Sequence, residues 1–229
     1  MSRARVPIPV LSVVASIVAA SARAAPPLTA DDFAPVFDDA RVTRALDRLA
    51  GGDAAGARER LLAIGQDGKP VAHLERVRFL LGLACVRSQD WLGAVAVLDR
   101  LDEAVPAVAD RVLLLRGQAL AGLGRNDEAV EALARVPRSS AVGVAALRAR
   151  GDALVAAGRN ADAAAAFGDL VAAGRKDPET VGKLAAALLA AGRRDEAIQL
   201  LRRAYFESPG PGRTAYRRVL SDLGASPET

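Results

Sequence analysis

The stretch that decides the fold is residues 119–129, where Ala119-Leu120 is followed by Gly124-Arg125 and then by Ala129. The same residues recur at Ala153-Leu154, Gly158-Arg159 and Ala163, and again at Ala187-Leu188, Gly192-Arg193 and Ala197. Each column returns after 34 residues. A fixed period of this length is typical of stacked helix–turn–helix units, which bury their apolar faces against their neighbours. The sequence therefore predicts an all-α fold, a right-handed α-solenoid.

Two looser units precede these three. Their matching columns hold Ala45, Gly52 and Ala57, and then Gly82, Ala94 and Pro106. The spacing is 37 residues from Ala57 to Ala94 and 35 residues from Ala94 to Ala129. The sequence thus predicts about five helical hairpins.

Each column has a physical role in such a hairpin. Small residues are expected where the two helices cross, at Gly82, Gly117, Gly151 and Ala185 on the first helix and at Ala94, Ala129, Ala163 and Ala197 on the second. Leu133, Phe167 and Leu201 follow one turn later on the same face. Gly124, Gly158 and Gly192 are predicted to end first helices in the left-handed conformation.

The ends of the second helices are also predicted from sequence. The segments Asn126-Asp127-Glu128 and Asn160-Ala161-Asp162 are expected to supply N-cap oxygens and first-turn acids. Pro106 and Pro209 are expected to end second helices at the inter-repeat turns, because proline cannot continue a helix.

The composition excludes several classes of protein. Apolar residues make up 51% of the chain and aromatic residues only 3%, which argues against β-sandwiches and barrels. A single cysteine excludes an internal disulfide and a cysteine-based zinc cluster, and a single histidine removes most metal sites and most Ser–His catalysis. We predict no catalytic residue, no cofactor and no metal.

Residues 1–24 have the three parts of a secretory signal peptide. Arg3 and Arg5 precede an uncharged run over residues 6–20, which is too short to span a bilayer, and Ala22-Arg23-Ala24 is a small-x-small cleavage site. We predict Sec-type export, cleavage after Ala24 and a periplasmic or secreted protein with no transmembrane segment after cleavage. An ordinary buried or frayed N-terminal helix is the alternative interpretation.

Removal of this segment changes the charge of the chain. It carries three arginines and no acid, so the formal net charge falls from +4 to +1. A nearly neutral chain without a basic run lacks the electrostatic signature of a nucleic-acid binder. The remaining sequence divides into a lead segment over residues 25–40, a repeat array over residues 41–211, and a capping helix and tail over residues 212–229.

Residues 41–211 resemble tetratricopeptide-repeat proteins. The sequence departs from the usual pattern at the aromatic positions, where Leu113, Leu147 and Val181 replace tryptophan and Leu120, Leu154 and Leu188 replace tyrosine. This resemblance implies a groove, lined by the first helices, that binds a protein or peptide partner.

A narrower resemblance is to the N-terminal helical superhelix of bacterial soluble lytic murein transglycosylases. The residues that carry it are 31–37, 49–53, 105–110 and 133–137. In that family the chemistry belongs to a separate C-terminal domain that uses a Glu-Ser pair on a helix. Glu207-Ser208 is such a pair, but Pro209-Gly210-Pro211 follows at once, so we expect it not to be catalytic.

Two functions from different classes follow. The first is a non-catalytic scaffold that binds a protein or peptide in the bacterial cell envelope, with peptidoglycan association as one form of that role. The second is the helical, non-catalytic region of a lytic transglycosylase that acts in cell-wall turnover.

The repeat frame assigns a candidate groove to the second, fifth, ninth and twelfth positions of the first helices. The residues concerned are Arg76, Phe79, Leu83, Arg111, Leu114, Gln118, Arg148, Asp152 and Glu179, with Lys183 at the edge. Arg148 and Asp152 are four residues apart, so a pair along the helix is expected. A solvated helix face is the alternative interpretation of these charges.

Four other features have structural interpretations. Gly51-Gly52-Asp53 lacks the lysine and the preceding strand of a phosphate loop and predicts an inter-helix turn. Cys85 is expected to be a buried, inert thiol. His73 is expected at the surface or at a helix start. Trp91 is expected to pack between repeats.

Overall fold

The computed structural model describes residues 39–71 and 73–227, which belong to one compact unit spanning residues 36–229. Within these residues the chain forms 12 α-helices and no β-strand. The predicted signal peptide, its cleavage site and the lead segment before Asp39 lie outside the described residues. The predicted all-α solenoid is confirmed.

The helices form five successive hairpins and a final helix. In chain order they are α1 (Ala40–Ala50), α2 (Ala54–Gln66), α3 (Leu74–Arg87), α4 (Trp91–Val97), α5 (Leu101–Ala104), α6 (Ala109–Gly122), α7 (Asn126–Ala134), α8 (Gly143–Ala156), α9 (Asn160–Ala172), α10 (Pro178–Ala190), α11 (Arg194–Glu207) and α12 (Pro211–Asp222). The hairpins pair α1 with α2, α3 with α4, α6 with α7, α8 with α9, and α10 with α11.

The helix crossings have no room for a side chain larger than that of glycine at three of the predicted positions. A Cβ atom added to Gly82, Gly117 or Gly151 would lie 2.3 Å, 2.4 Å or 2.6 Å from a large side chain in the second helix or directly at its end. Those side chains are Leu98, Leu133 and Phe167, which lie one turn beyond the alanine column. The alanines of that column, Ala94, Ala129, Ala163 and Ala197, are completely buried. The crossing therefore combines a small residue on one helix with a large residue and an alanine on the other.

The turns within the hairpins partly match the predictions. Gly124, Gly158 and Gly192 have φ values of 74°, 73° and 75°, so the predicted left-handed residues are confirmed. The predicted N-caps are wrong. Asn126 and Asn160 are the first residues of α7 and α9, and the preceding arginines occupy the N-cap positions without a side-chain capping bond.

The two prolines act differently from each other. Pro209 follows the end of α11, as predicted. Pro106 does not end a second helix, because α4 already ends at Val97 and Pro106 begins a 3₁₀ turn over Pro106–Val108. The short helix α5 lies between the end of α4 and Pro106, and its Leu101 is buried against the core of the first hairpins.

The last helix covers the apolar end of the fifth hairpin. Tyr216 and Leu220 of α12 are buried in a cluster with Val181, Leu201 and Tyr205. Gly224 follows the helix with φ of 65°. Helix α12 thereby completes the core that α10 and α11 leave open.

Candidate binding groove

The predicted site residues lie on the first helices of four successive hairpins. We call the surface formed by α3, α6, α8 and α10 the first-helix groove. Helix α6 packs against both α3 and α8, and side chains of α8 reach α10. The two halves of the groove, α3–α6 and α8–α10, differ in how their charges are used.

The α8–α10 half is closed by polar contacts within the chain. A guanidinium nitrogen of Arg148 donates a hydrogen bond to the hydroxyl of Thr180 at 3.1 Å and lies 3.4 Å from a carboxylate oxygen of Asp177. Asp152 pairs with Lys183, whose Nζ is 2.8 Å from Oδ1 and 3.2 Å from the Glu179 carboxylate. The predicted pair between Arg148 and Asp152 is therefore wrong, because each residue finds its partner on α10.

The electrostatics keep these groups charged at neutral pH. The backbone N–H and hydroxyl of Thr180 hold the pKa of Asp177 below its usual range, and Arg148 adds to this effect. Burial lowers the pKa of Lys183, but its contacts with Asp152 and Glu179 outweigh burial and raise the pKa above the usual value. The network binds α8 to α10 and leaves little charge in this half for a partner.

In the α3–α6 half, the ion pair of Arg111 lies within α6 itself and joins no second helix. Arg111 and Gln118 are exposed on α6, and the closest carboxylate to Arg111 is that of its neighbour Asp110, at 3.5 Å. Arg76 and Phe79 are half-buried on α3. Phe79 packs on the core of the first hairpins, together with the half-buried Leu83 and Val86 of the same helix. A mixed apolar and polar surface results.

Leu114 is the predicted groove residue that the structure places elsewhere. It is 9% exposed and belongs to a core cluster with Leu113, Leu133 and Ala146. The side chain fills the space between α6 and α8, so it supports the groove and is not available to a partner.

The sequence prediction missed the partners Asp177 and Thr180. Val155, at the twelfth position of the α8 repeat frame, is 45% exposed. A regular spacing of charges in the sequence could have predicted ion pairs between successive hairpins. Opposite charges 31 residues apart, slightly less than one repeat, pair in Lys183–Asp152, Arg138–Asp169 and Lys176–Glu207. This spacing brings together neighbouring elements of successive hairpins.

The other candidate residues have structural roles. Cys85 is buried, and burial with the nearby Asp90 carboxylate raises the pKa of its thiol to about 11, so the thiol stays protonated at neutral pH. Trp91 packs against α6 of the next hairpin, where a Cβ on Gly122 would lie 2.5 Å from the indole ring. His73 precedes α3 with φ of 55°. Gly51 and Gly52 form the turn between α1 and α2.

Glu207 has the wrong environment for a glycosidase acid. It is the last residue of α11, is exposed, and pairs with Lys176 at 2.9 Å between Nζ and Oε2. General-acid catalysis of glycoside cleavage needs a protonated carboxyl group in a cleft.

The described part of the chain holds no group of three or more His, Cys, Asp or Glu side chains placed to bind a metal ion. Among residues 39–71 and 73–227, no helix combines the length and apolar character needed to cross a bilayer.

Sequence comparison identifies the class of protein. Two sequence profiles of the tetratricopeptide repeat match the chain, one over residues 154–223 and the other over residues 79–144 and 114–178. The matches together extend over more than half of the chain, which belongs to the tetratricopeptide-repeat proteins. Repeats of this kind typically form non-catalytic scaffolds for protein interaction.

Solved structures with the same fold are distant in sequence. The tetratricopeptide-like repeats of a kinesin light chain from Podosopora anserina are 20% identical, with a TM-score of 0.56 over 74% of this chain and 96% of that one. MamA from Desulfovibrio magneticus RS-1, residues 41 to the end, is 15% identical, with a TM-score of 0.59 over 71% of this chain and 90% of that one. No curated protein sequence matches. These comparisons support the repeat fold and give no support to the narrower resemblance to lytic transglycosylases.

Proposed function

We propose that this chain is an exported bacterial scaffold that binds a protein or peptide partner in the cell envelope through the first-helix groove. The observation that carries the proposal is the difference between the two halves of the groove. Arg148, Asp152 and Lys183 are engaged with residues of the neighbouring hairpin, whereas Arg111 and Gln118 are exposed on α6 and Phe79 is half-buried on the adjacent α3. Arginine and aromatic side chains of this kind dominate binding energy at protein interfaces.

Site-specific photo-crosslinking tests the position of the partner. A benzophenone amino acid at Gln118, on α6, is expected to form an adduct with a protein of the native envelope. The control position is Glu131, which is exposed on the second helix α7. Adducts from Glu131 and none from Gln118 would place the partner on the opposite surface and reject the groove.

Charge reversal tests the chemistry of the groove. Arg111→Glu is expected to reduce the Gln118 adduct while leaving thermal stability nearly unchanged, because Arg111 is exposed and its ion pair is with its sequence neighbour. Arg60→Glu on the exposed face of α2 makes the same change in net charge and is expected to have no effect. Equal loss in both variants would mean that net charge alone governs capture.

Mass spectrometry of the native protein tests export. The mature chain is expected to begin at Ala25 and to occur outside the cytoplasm. Recovery of the native protein with residues 1–24 still attached would contradict the proposal of export without bearing on the groove.

A further inference from the structure

A groove lies between the second helices of the last two hairpins, α9 and α11. We call it the second-helix groove. Its volume is about 650 Å³, and Leu184 and Leu188 of α10 form its floor. In the described part of the chain, its lining includes no residue predicted for the first-helix groove. It is therefore a separate surface of the solenoid.

The wall of the groove on α9 consists of small residues. Ala164, Ala165 and Gly168 line it, and a Cβ atom added to Gly168 would meet no neighbouring atom within 4 Å. One repeat earlier, on α7, the first two of these positions hold Val130 and Glu131. The small side chains of α9 leave space for a further element of structure to approach.

The floor of the groove also differs from the corresponding positions of the earlier hairpins. Leu184 has the place that Arg150 and Arg116 occupy one and two repeats earlier. Arg116 pairs with Asp99 at 3.1 Å. Leucine at this position replaces a charged side chain by an apolar one, so the floor can accept apolar side chains of a ligand.

Arg203 lines the groove from α11 at a repeat position that otherwise forms an ion pair. The corresponding residues of the two preceding hairpins are Arg135 and Asp169. Arg135 pairs with Asp102, and Asp169 pairs with Arg138 at 2.6 Å. In both cases the partner comes from the preceding part of the solenoid.

The position that should supply a partner for Arg203 has no charge. Ala172 stands one repeat after Arg138. Glu207, one turn after Arg203 on α11, is already paired with Lys176 at 2.9 Å. Among the residues that the structure describes, none forms an ion pair or a side-chain hydrogen bond with Arg203. The guanidinium group is therefore available to a ligand.

The groove is neutral as a whole but has a positive and a negative end. Its acids Asp169 and Glu196 are each paired with an arginine at 2.6 Å. The remaining charges are those of Arg203 and Asp195, and the side chain of Asp195 likewise has no partner within the described part of the chain. The two residues are eight positions apart on α11, which corresponds to about 12 Å along the helix.

We infer that the second-helix groove binds a helical segment of a partner protein that has an acidic side chain for Arg203, a basic side chain for Asp195 and apolar side chains between them. Guanidinium groups match carboxylates in charge and geometry. The acid belongs in the first turn of the bound helix and the base two turns later, because this order agrees with the helix dipole. The bound helix therefore runs antiparallel to α11.

Fluorescence anisotropy with the mature chain tests this inference. The probe is a fluorescein-labelled, alanine-based helical peptide in which a glutamate precedes a lysine by eight residues and leucines lie between them on the same face. The control peptide has glutamine at both charged positions. The charged peptide is expected to bind about tenfold more tightly than the control, because hydrogen bonds to charged groups are the stronger ones.

Two pairs of matched variants locate the bound peptide. Arg203→Gln is expected to weaken binding about tenfold, whereas Arg60→Gln on the exposed face of α2 makes the same change in net charge and should have no effect. Gly168→Leu is expected to abolish binding because the new side chain fills the groove. The control is Gly182→Leu, at an exposed position of α10 in the first-helix groove where an added Cβ also meets no neighbouring atom.

Folding of the glycine variants is checked by thermal unfolding. Both are expected to fold, because leucine is a better helix former than glycine and neither substitution meets a clash at Cβ. If Gly168→Leu nevertheless fails to fold, the comparison of Arg203→Gln with Arg60→Gln decides the question.

Three results would overturn the inference. They are no binding of the charged peptide to the unaltered chain, equal loss of affinity in Arg203→Gln and Arg60→Gln, and full binding in a folded Gly168→Leu variant. Loss of binding in Gly182→Leu alone would place the peptide in the first-helix groove and reject the second-helix groove without contradicting the proposed function.

Sedimentation velocity tests the alternative occupant, a second copy of the chain. The unaltered chain and Gly168→Leu are expected to have the same oligomeric state. Self-association that Gly168→Leu abolishes, together with no binding of the peptide, would assign the groove to a second copy and overturn the inference.

Discussion

The turns of the first two hairpins and those of the last three share one backbone and differ in side-chain chemistry. In all five, the N–H of the residue before the second helix bonds to the carbonyl oxygen five residues earlier, at 2.8–2.9 Å. That residue is Asp53 or Asp90 in the first two hairpins. It is Arg125, Arg159 or Arg193 in the last three.

In the first two turns the aspartate caps the helix directly. The carboxylates of Asp53 and Asp90 accept the N–H of Gly56 and Gly93 at 2.8 Å and 3.0 Å. The glycines leave room for this contact, since an added Cβ would lie 2.3 Å or 2.4 Å from the carboxylate. The capping aspartate and the glycine three residues later thus belong together.

In the last three turns the arginine cannot accept a hydrogen bond from the helix. An acid three residues later pairs with it instead, as in Arg125–Glu128 and Arg193–Glu196, where both contacts are 2.6–2.7 Å. The acid also lies in the first turn, where the helix dipole favours negative charge. The N-cap residue therefore determines which side chain is suitable three positions later.

The largest expected effect is a loss of folding stability when a helix crossing is overpacked, and both groups of hairpins should show it. Ala94→Leu and Ala129→Leu should each destabilise the protein by about 1–3 kcal/mol, because both alanines are completely buried at a helix crossing. Urea unfolding followed by circular dichroism measures the loss. The control is Ala165→Leu, at an exposed position of α9, which should change stability by less than about 0.5 kcal/mol. A loss in only one group would show that the groups differ in packing as well as in turn chemistry.

The next effect separates the two kinds of turn. Asp90→Ala should cost about 1 kcal/mol, because it removes a side-chain cap. Arg125→Ala should cost less, because it removes an exposed ion pair and no cap. Thermal unfolding of both variants checks the order, and the opposite order would contradict the division into two kinds of turn.

Replacement of Asp90 and Gly93 by the arginine and glutamate of the later turns tests the same division more directly. Gly93→Glu alone should destabilise α4, since the new Cβ displaces the Asp90 carboxylate. The addition of Asp90→Arg should restore part of the stability by creating the arginine–glutamate pair of the later turns. No restoration in the double variant would mean that the two residues act independently.

The smallest expected effect is a pH dependence of the stability that the ion pairs of the later turns contribute. The hydrogen bond from Arg125 holds the pKa of Glu128 below its usual value, and Arg193 does the same for Glu196. Because the folded pKa is the lower one, this stabilisation is present at neutral pH and is lost as the pH falls through the folded value. Melting temperatures at about pH 7 and about pH 3 should differ less in Glu128→Gln than in the unaltered chain. An unchanged difference would exclude a contribution from this pair.

Most of the fold could be predicted because its determinants are local and repeated. The 34-residue period, the buried alanine column and the left-handed Gly124, Gly158 and Gly192 are all visible in the sequence, and each has a direct steric reason. The N-caps were predicted one residue too late because Asn126 and Asn160 are good capping residues by type. The backbone of the turn gives the cap position to the preceding arginine, which the residue type alone does not indicate.

The stacked hairpins follow from the sequence, because the pattern of small and large residues repeats at short range and each unit buries its apolar face against the next. The use of the groove charges depends on contacts between hairpins. Arg148 bonds to Thr180, 32 residues away, and not to Asp152 on its own helix, while Lys183 pairs with Asp152, 31 residues away, as well as with Glu179 on its own helix. Leu114 is likewise buried because α8 packs over it. Such contacts depend on the separation and rotation of adjacent helices, which are set by the packing of all the side chains between them.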